Sequence, residues 1–166
     1  MKTEDQDCCP KFEPERWDER TFNWEKKHFI KESIPTFFHM PFPKMIGKKV
    51  TIMMDLAKSA DSLSEDELDT LLLFNDPTAF RSDIYMSVNH KVSHANNVTL
   101  SGKFMSKTFD GPYKKVPKFL KEMDDYLSKQ NKKAMDYYVH YAYCPKCAKK
   151  FEQLHGHFCR IGKLNY

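Results

Sequence analysis

Val98-Thr99-Leu100-Ser101-Gly102-Lys103-Phe104-Met105-Ser106-Lys107-Thr108-Phe109, then Asp110-Gly111-Pro112-Tyr113, then Val116 to Leu127, reads as strand, turn and helix. In the last part Val116, Phe119, Leu120, Met123, Tyr126 and Leu127 recur at three- and four-residue spacing, laying an apolar stripe on one side. Lys118, Lys121, Glu122 and Asp125 fall elsewhere. Gly111-Pro112 ends the strand, and Pro117 sits where its missing N–H falls among the orphan donors of a first helical turn. Such a unit occurs in many α/β proteins. Its weight comes from a second occurrence of the same order of elements.

That second occurrence lies upstream. Ile34-Pro35-Thr36-Phe37-Phe38-His39-Met40 reads as a strand, and Pro41 and Pro43 break it and start a helix with apolar positions Ile46, Val50, Met53, Met54 and Ala57. Ser64-Glu65-Asp66-Glu67 has the form of a capping box, Leu71 to Phe74 is a short apolar strand, and Asp83 to Val88 alternates. Ile84, Met86 and Val88 suit the face packed on helices, with Asp83, Tyr85 and Ser87 on the other side. Downstream of the quoted stretch, Asp136 to Tyr143 and Gly156 to Leu164 supply two more strands. Each half therefore reads strand, helix, strand, strand. The expected fold is α+β: duplicated β-α-β-β units forming an antiparallel sheet, with two helices on one face and a ligand cleft on the other. Residues 32–166 form this domain, and residues 1–31, carrying Phe12, Trp17, Phe22, Trp24 and Phe29, form an N-terminal arm packed on it.

At 166 residues the chain suits one domain able to bury a core without staples. Fourteen per cent aromatic residues with only five glycines means that many rings are buried or line something. The net charge of +4 is mild and its lysines are dispersed, which argues against nucleic acid as a partner. No apolar run nears the roughly 18 residues that span a bilayer and the acidic first ten residues are unlike a signal peptide, so a cytoplasmic protein without a membrane partner is expected.

Five cysteines in a reducing compartment do not make a disulfide framework. Cys144-Pro145-Lys146-Cys147 has the spacing that lets two thiolates of one turn reach a single zinc ion, and Cys8 and Cys9 complete a tetrahedral set for a structural zinc. Cys159 is then an ordinary buried thiol, with His155 and His157 as spare ligands. A redox pair and a set of free thiols are the rival readings. No organic cofactor is expected.

Ser101-Gly102-Lys103-Phe104 through Thr108-Phe109-Asp110-Gly111-Pro112-Tyr113, the helix with Phe119 and Tyr126, and Tyr141 with Pro145 resemble the second half of the GyrI-like (gyrase-inhibitory-protein-like) small-molecule-binding domain. The likeness runs from about Ile34 to Leu164. Asp7-Cys8-Cys9-Pro10-Lys11-Phe12 together with Cys144 to Phe151 resembles a bacterial subgroup often labelled hydrolase. The resemblance implies a cleft for planar, apolar or cationic compounds, and in some relatives hydrolysis of strained cyclopropane rings. Many members carry an acidic residue where this chain has Val139, two positions before Tyr141, a departure that bears on cation recognition and on carboxylate-assisted hydrolysis alike. Asp83 is the candidate substitute.

By period two, Asp83, Tyr85 and Ser87 share a face, as do Phe104, Ser106 and Thr108, and Tyr137, Val139 and Tyr141. Phe38, Asp83, Tyr85, Phe104, Tyr137 and Tyr141 are the candidate ligand contacts, the rings stacking on a flat guest and the carboxylate facing a cation. For turnover, water activated by a carboxylate or by His140 would attack an electrophilic carbon, although His140 should face away from Tyr141. Three functions stay open: xenobiotic binding or sequestration, hydrolysis of electrophilic natural products, and a zinc-stabilised interaction protein whose cleft holds no ligand. A cleft filled by Trp17 or Trp24 would favour the third.

Overall fold

A computed structural model describes residues 13–111, 115–141 and 157–164. Among them the strands are β1 (Arg20–Phe37), β2 (Met40–Pro41), β3 (Leu72–Thr78), β4 (Arg81–Ser87), β5 (Asn97–Asp110), β6 (Ala134–Tyr141) and β7 (His157–Leu164). The helices are α1 (Pro43–Ser59) and α2 (Val116–Ser128), with short 3-10 turns at Pro14–Arg16 and Glu67–Asp69. Asp66, not Ser64, caps the second turn, accepting from the Leu68 N–H.

All described pairings are antiparallel, in the order β2-β1-β4-β3-β6-β7-β5, and β5 pairs back onto β1. Six strands thus close into a barrel, which removes their free edges, while β2 extends β1 outside the closure. The antiparallel sheet expected from the sequence is present and closes on itself. Both helices lie on its outer face, and the inner face is the barrel interior.

β1 makes closure possible. It is 18 residues long, pairing with β5 from Arg20 to Ile30 and with β4 from Phe29 to Pro35. Residues 20–31, expected as part of an arm, are therefore its first two thirds. A bulge between Trp24 and Lys27, with Lys26 at φ +48° and its N–H bonded to Ser101 Oγ at 2.8 Å, shifts the alternation by one. Phe22 and Trp24 before the bulge and Phe29 after it consequently join the same interior cluster.

Three apolar clusters follow from the two faces. Inside the barrel, Phe29, Leu71, Leu73, Tyr85, Phe104, Tyr138 and Ile161 pack together, with Trp17 reaching in from before β1. Outside, Met53 and Ala57 of α1 cover Ile30, Ile34, Ile84 and Met86, while Phe119, Met123 and Leu127 of α2 cover Met105, Phe109, Val139 and Leu164. Each fully buried side chain of this size contributes about 1.5–3 kcal/mol. Gly162 of β7 lets side chains of β6 lie over it: a Cβ there would meet Ala134 Cβ at 3.1 Å and Tyr137 Cε1 at 3.2 Å.

The β1–β2 hairpin turns through Phe38 and His39, both at positive φ (+48° and +63°), where such tight hairpins favour Asn-Gly. That conformation costs a non-glycine residue roughly 1–2 kcal/mol. Bonds from His39 N–H to Ala79 O (2.8 Å) and Thr36 N–H to Phe80 O (3.0 Å) hold the hairpin against the β3–β4 turn.

Candidate functional site

The interior grades from a charged end to an aromatic end. At the charged end Asp83 of β4 is 2% exposed and accepts from Ser33 Oγ at 2.6 Å. Lys31 Nζ lies 3.1 Å and Arg81 Nε 3.2 Å from its oxygens. Burial works to raise the Asp83 carboxyl, but the Ser33 and Lys31 hydrogen bonds and the charges of Lys31 and Arg81 prevail and hold it below the usual carboxylate range. Lys31 shows the counterpart: burial works to lower it, and Asp83 and Tyr85 carry it upward. Its Nζ also stands 5.4 Å from the Tyr85 ring centre.

Beyond this pair the rings pack edge to face around Tyr85 and tilted around Phe104. Tyr85 meets Phe29 at 6.3 Å and Tyr138 at 5.6 Å, and Phe104 meets Tyr138 at 6.4 Å and Trp24 at 4.4 Å. Burial, with Asp136 next, pushes the Tyr138 phenol far above its ordinary range, so it stays protonated.

The aromatic end carries a hollow of about 320 Å³, walled by Trp17, Phe22 and Trp24 and floored by Leu71. Lys27, Asp69 and Ser87 bring its polar groups. It exists because β4 ends at Ser87 while β1 continues backward toward Arg20, leaving the first half of β1 without a β4 partner. Arg16 bridges Asp66 and Asp69 at 3.2 and 3.3 Å, and the Trp17 carbonyl accepts from Ser106 Oγ. Trp17 rests on Phe22 at 5.2 Å and on His140 at 6.0 Å.

His140 stands behind this wall with Nδ1 3.1 Å from Leu72 O. Burial lowers its pKa below the ordinary 6.5, and the Leu72 hydrogen bond opposes that only in part. The unfolded chain therefore takes up the proton first, so His140 adds stability above about pH 6.5 that is lost as pH falls through its folded value. Urea midpoints are expected to drop between pH 7.5 and 5.5, and His140→Gln should flatten that slope; an unchanged slope would contradict this reading.

Of the residues singled out from sequence, the barrel brings Asp83, Tyr85 and Phe104 to its interior, and β4 faces as its alternation suggested. Tyr137 is elsewhere: the pairing of Leu73 with His140 and Phe74 with Val139 turns Tyr138 and His140 inward. Val139 and Tyr137 accordingly pack toward α2, and the Tyr137 hydroxyl bonds Asp124. Phe38 projects from the hairpin, 63% exposed, far from the hollow's lining. Tyr141 ends β6 opposite Phe158; its side chain lies outside the described residues, as do Cys8, Cys9, Cys144, Cys147 and His155. Among the described residues no cluster of three metal-ligating side chains occurs, nor any helix long and apolar enough to cross a membrane. Trp17, Phe22 and Trp24, expected in an arm, wall the hollow; the alternation of Phe22 and Trp24 is the sequence signal for a strand there, and the bulge after Trp24 interrupts it before Phe29.

The sequence profile of a family described as bacterial hydrolase matches residues 1–156. Among solved structures, a hydrolase from Listeria innocua aligns with a TM-score of 0.60 at 9% identity, over 89% of this chain and 92% of its own. An uncharacterized conserved protein from Listeria innocua aligns at 0.61, with 9% identity and the same coverage. SAV2435, in a structure bound to tetraphenylphosphonium, aligns at 0.52 and 13% identity, over 89% and 94%. At these identities the likeness is one of fold. No curated protein matches the sequence.

Proposed function

The chain belongs to the bacterial hydrolase family, and from that premise we propose that it binds flat, apolar or cationic small molecules in the hollow at the Trp17 end of its barrel. The observation that carries this is the wall itself. Trp17, Phe22 and Trp24 offer π-faces around a space of about 320 Å³ that suits a drug-sized guest; Asp69 is paired with Arg16 and Lys27 Nζ stands 5.8 Å from the Trp24 ring centre, so the rings and not a free carboxylate carry the reading. SAV2435, bound to an aromatic phosphonium cation, supports the ligand class. Trp17 and Trp24 fill part of the interior, the observation that favours the interaction-protein reading; the small-molecule reading therefore places its guest against these rings and not along the Asp83–Tyr85 face. Asp83, already neutralised by Lys31 and Arg81, has no charge to spare for a cation.

Trp24 is half-buried, so Trp24→Ala should retain the fold. The variant is expected to weaken tetraphenylphosphonium binding about tenfold by calorimetry, within the roughly 0.5–2 kcal/mol of one cation–π contact. Unchanged affinity in a stably folded variant would remove the hollow from the account.

Hydrolysis of a strained electrophile is the second reading, favoured by the family's description. Asp69 and the Ser87 hydroxyl are the groups at the hollow able to orient an attacking water, whose oxygen would bond the electrophilic carbon as the strained bond breaks and takes the proton. His140 stands behind Trp17 and would act only after that indole moved. Mass spectrometry separates the readings: product heavier by one water supports turnover, unaltered bound compound supports binding.

The GyrI-like resemblance belongs to the same proposal. β1 neighbours β4 and β4 neighbours β3, as β5 neighbours β7 and β7 neighbours β6, each with a helix after its first strand. This symmetry of neighbours supports a duplicated β-α-β-β unit. The reading takes the protein to be cytoplasmic, and Cys8, Cys9, Cys144 and Cys147 to hold one structural zinc. One zinc per chain is expected by elemental analysis of protein purified under reducing conditions; its absence would return the cysteines to free thiols.

A further inference from the structure

A second surface lies beyond the other end of β4. Phe37, Phe38, Met40, Phe42 and Phe80 are 61%, 63%, 67%, 52% and 57% exposed, an apolar tip assembled from the β1–β2 hairpin, the entry to α1 and the β3–β4 turn. Large apolar groups exposed to this degree and gathered at one place mark a contact surface. The tip is built, not loose. Phe38 meets Phe37 at 4.6 Å and Phe80 at 5.5 Å, and the backbone bonds to Ala79 and Phe80 fasten the hairpin to the turn. Phe38 and His39 hold left-handed conformations that Asn-Gly would adopt at less cost, so stability alone does not account for a phenylalanine there.

The charges beside it have one sign in excess. α1 begins at Pro43 with no side-chain cap and no acidic residue in its first turn, so no carboxylate of that turn offsets its positive dipole end, although the Met45 N–H is bonded to Phe42 O at 2.9 Å. Lys44 and Lys48 are exposed one turn apart on that helix, and Arg81 opens β4. The carboxylates nearby are Asp76, facing His39 at 3.7 Å, Glu32, paired with Lys49, and buried Asp83, shared by Lys31 and Arg81.

We propose that this tip docks the protein on an anionic phospholipid surface, the rings entering the headgroup boundary while Lys44, Lys48 and the α1 N-terminus meet phosphates. A second copy is a poorer occupant. Side chains more than half exposed stand proud of the surface, two such tips meet over little area, and stable dimers need about 800 Å² per partner. Like charges would also be brought together. Three separate stretches compose the patch, so no single run of the sequence carries it. It faces away from the hollow, so peripheral attachment would leave guest binding free.

The test is co-sedimentation of the full chain with phosphatidylglycerol or phosphatidylcholine vesicles at low and high salt, alongside Phe38→Ser/Phe80→Ser and Lys44→Glu/Lys48→Glu. Expected is binding to phosphatidylglycerol at least tenfold above phosphatidylcholine, weakened by salt, and reduced tenfold or more by either double variant with thermal unfolding unchanged. Absence of binding to phosphatidylglycerol at low salt would overturn the proposal, as would equal binding by folded variants. A wild-type dimer in sedimentation velocity that Phe38→Ser/Phe80→Ser dissolves would also overturn it, assigning the tip to a second copy.

Discussion

Phe104→Ala is expected to lower folding stability by about 3–5 kcal/mol, read as a reduced urea midpoint at unchanged slope. Phe104 is fully buried and touches both Trp24 and Tyr138, so it ties the wall of the hollow to the interior behind it. The closed sheet gives its neighbours little room to collapse into the space, which places the loss in the upper part of the range for such truncations. The same change opens volume next to Trp24, so the variant should bind a bulkier aromatic guest at least as well as the wild type does. A loss below about 1 kcal/mol would mean that the ring is not enclosed.

Asp83→Ala should cost about 3 kcal/mol, the lower end for breaking a buried ion pair. The carboxylate is buried, but Lys31 is 25% exposed and Arg81 53%, so once freed both can turn to water. Asp83→Asn should cost less, because its amide oxygen can still accept from Ser33. As a control, Glu122→Ala should change stability by no more than about 1 kcal/mol, its pair with Lys118 being exposed on both sides. Because the Asp83 carboxyl is held below its ordinary range, its contribution is present at neutral pH and is lost only as pH falls through that lowered value. The wild type should therefore lose more stability in acid than Asp83→Asn does. Equal acid sensitivity would count against the buried pair.

Much of the architecture was legible where the pattern is local. The stripe from Phe119 to Leu127 predicts α2, covered on one side, and β4, buried on both faces, still shows its sides because polar Asp83 and Ser87 alternate with apolar Ile84, Met86 and Val88. What escaped depends on distant partners. Tyr137 and Tyr138 are the same residue in adjacent places, so only the pairing of β6 with β3 decides which one faces inward. The bulge between Trp24 and Lys27 breaks period two, which made interior residues of a long strand look like an arm. Closure of β5 onto β1 joins segments some 80 residues apart, and no local pattern encodes it. The hollow inherits all three, and so the charged and aromatic residues of the expected cleft are divided between the interior, the α2 face and the hairpin tip.

The chain has only two tryptophans, and both line the hollow. Titrating tetraphenylphosphonium into the protein while following the two indole N–H resonances therefore reads the proposed site directly. Both are expected to shift along saturable curves sharing one dissociation constant. Saturation that moves other signals and leaves both indoles in place, or no binding at all, would contradict a guest site at the Trp17 end of the barrel.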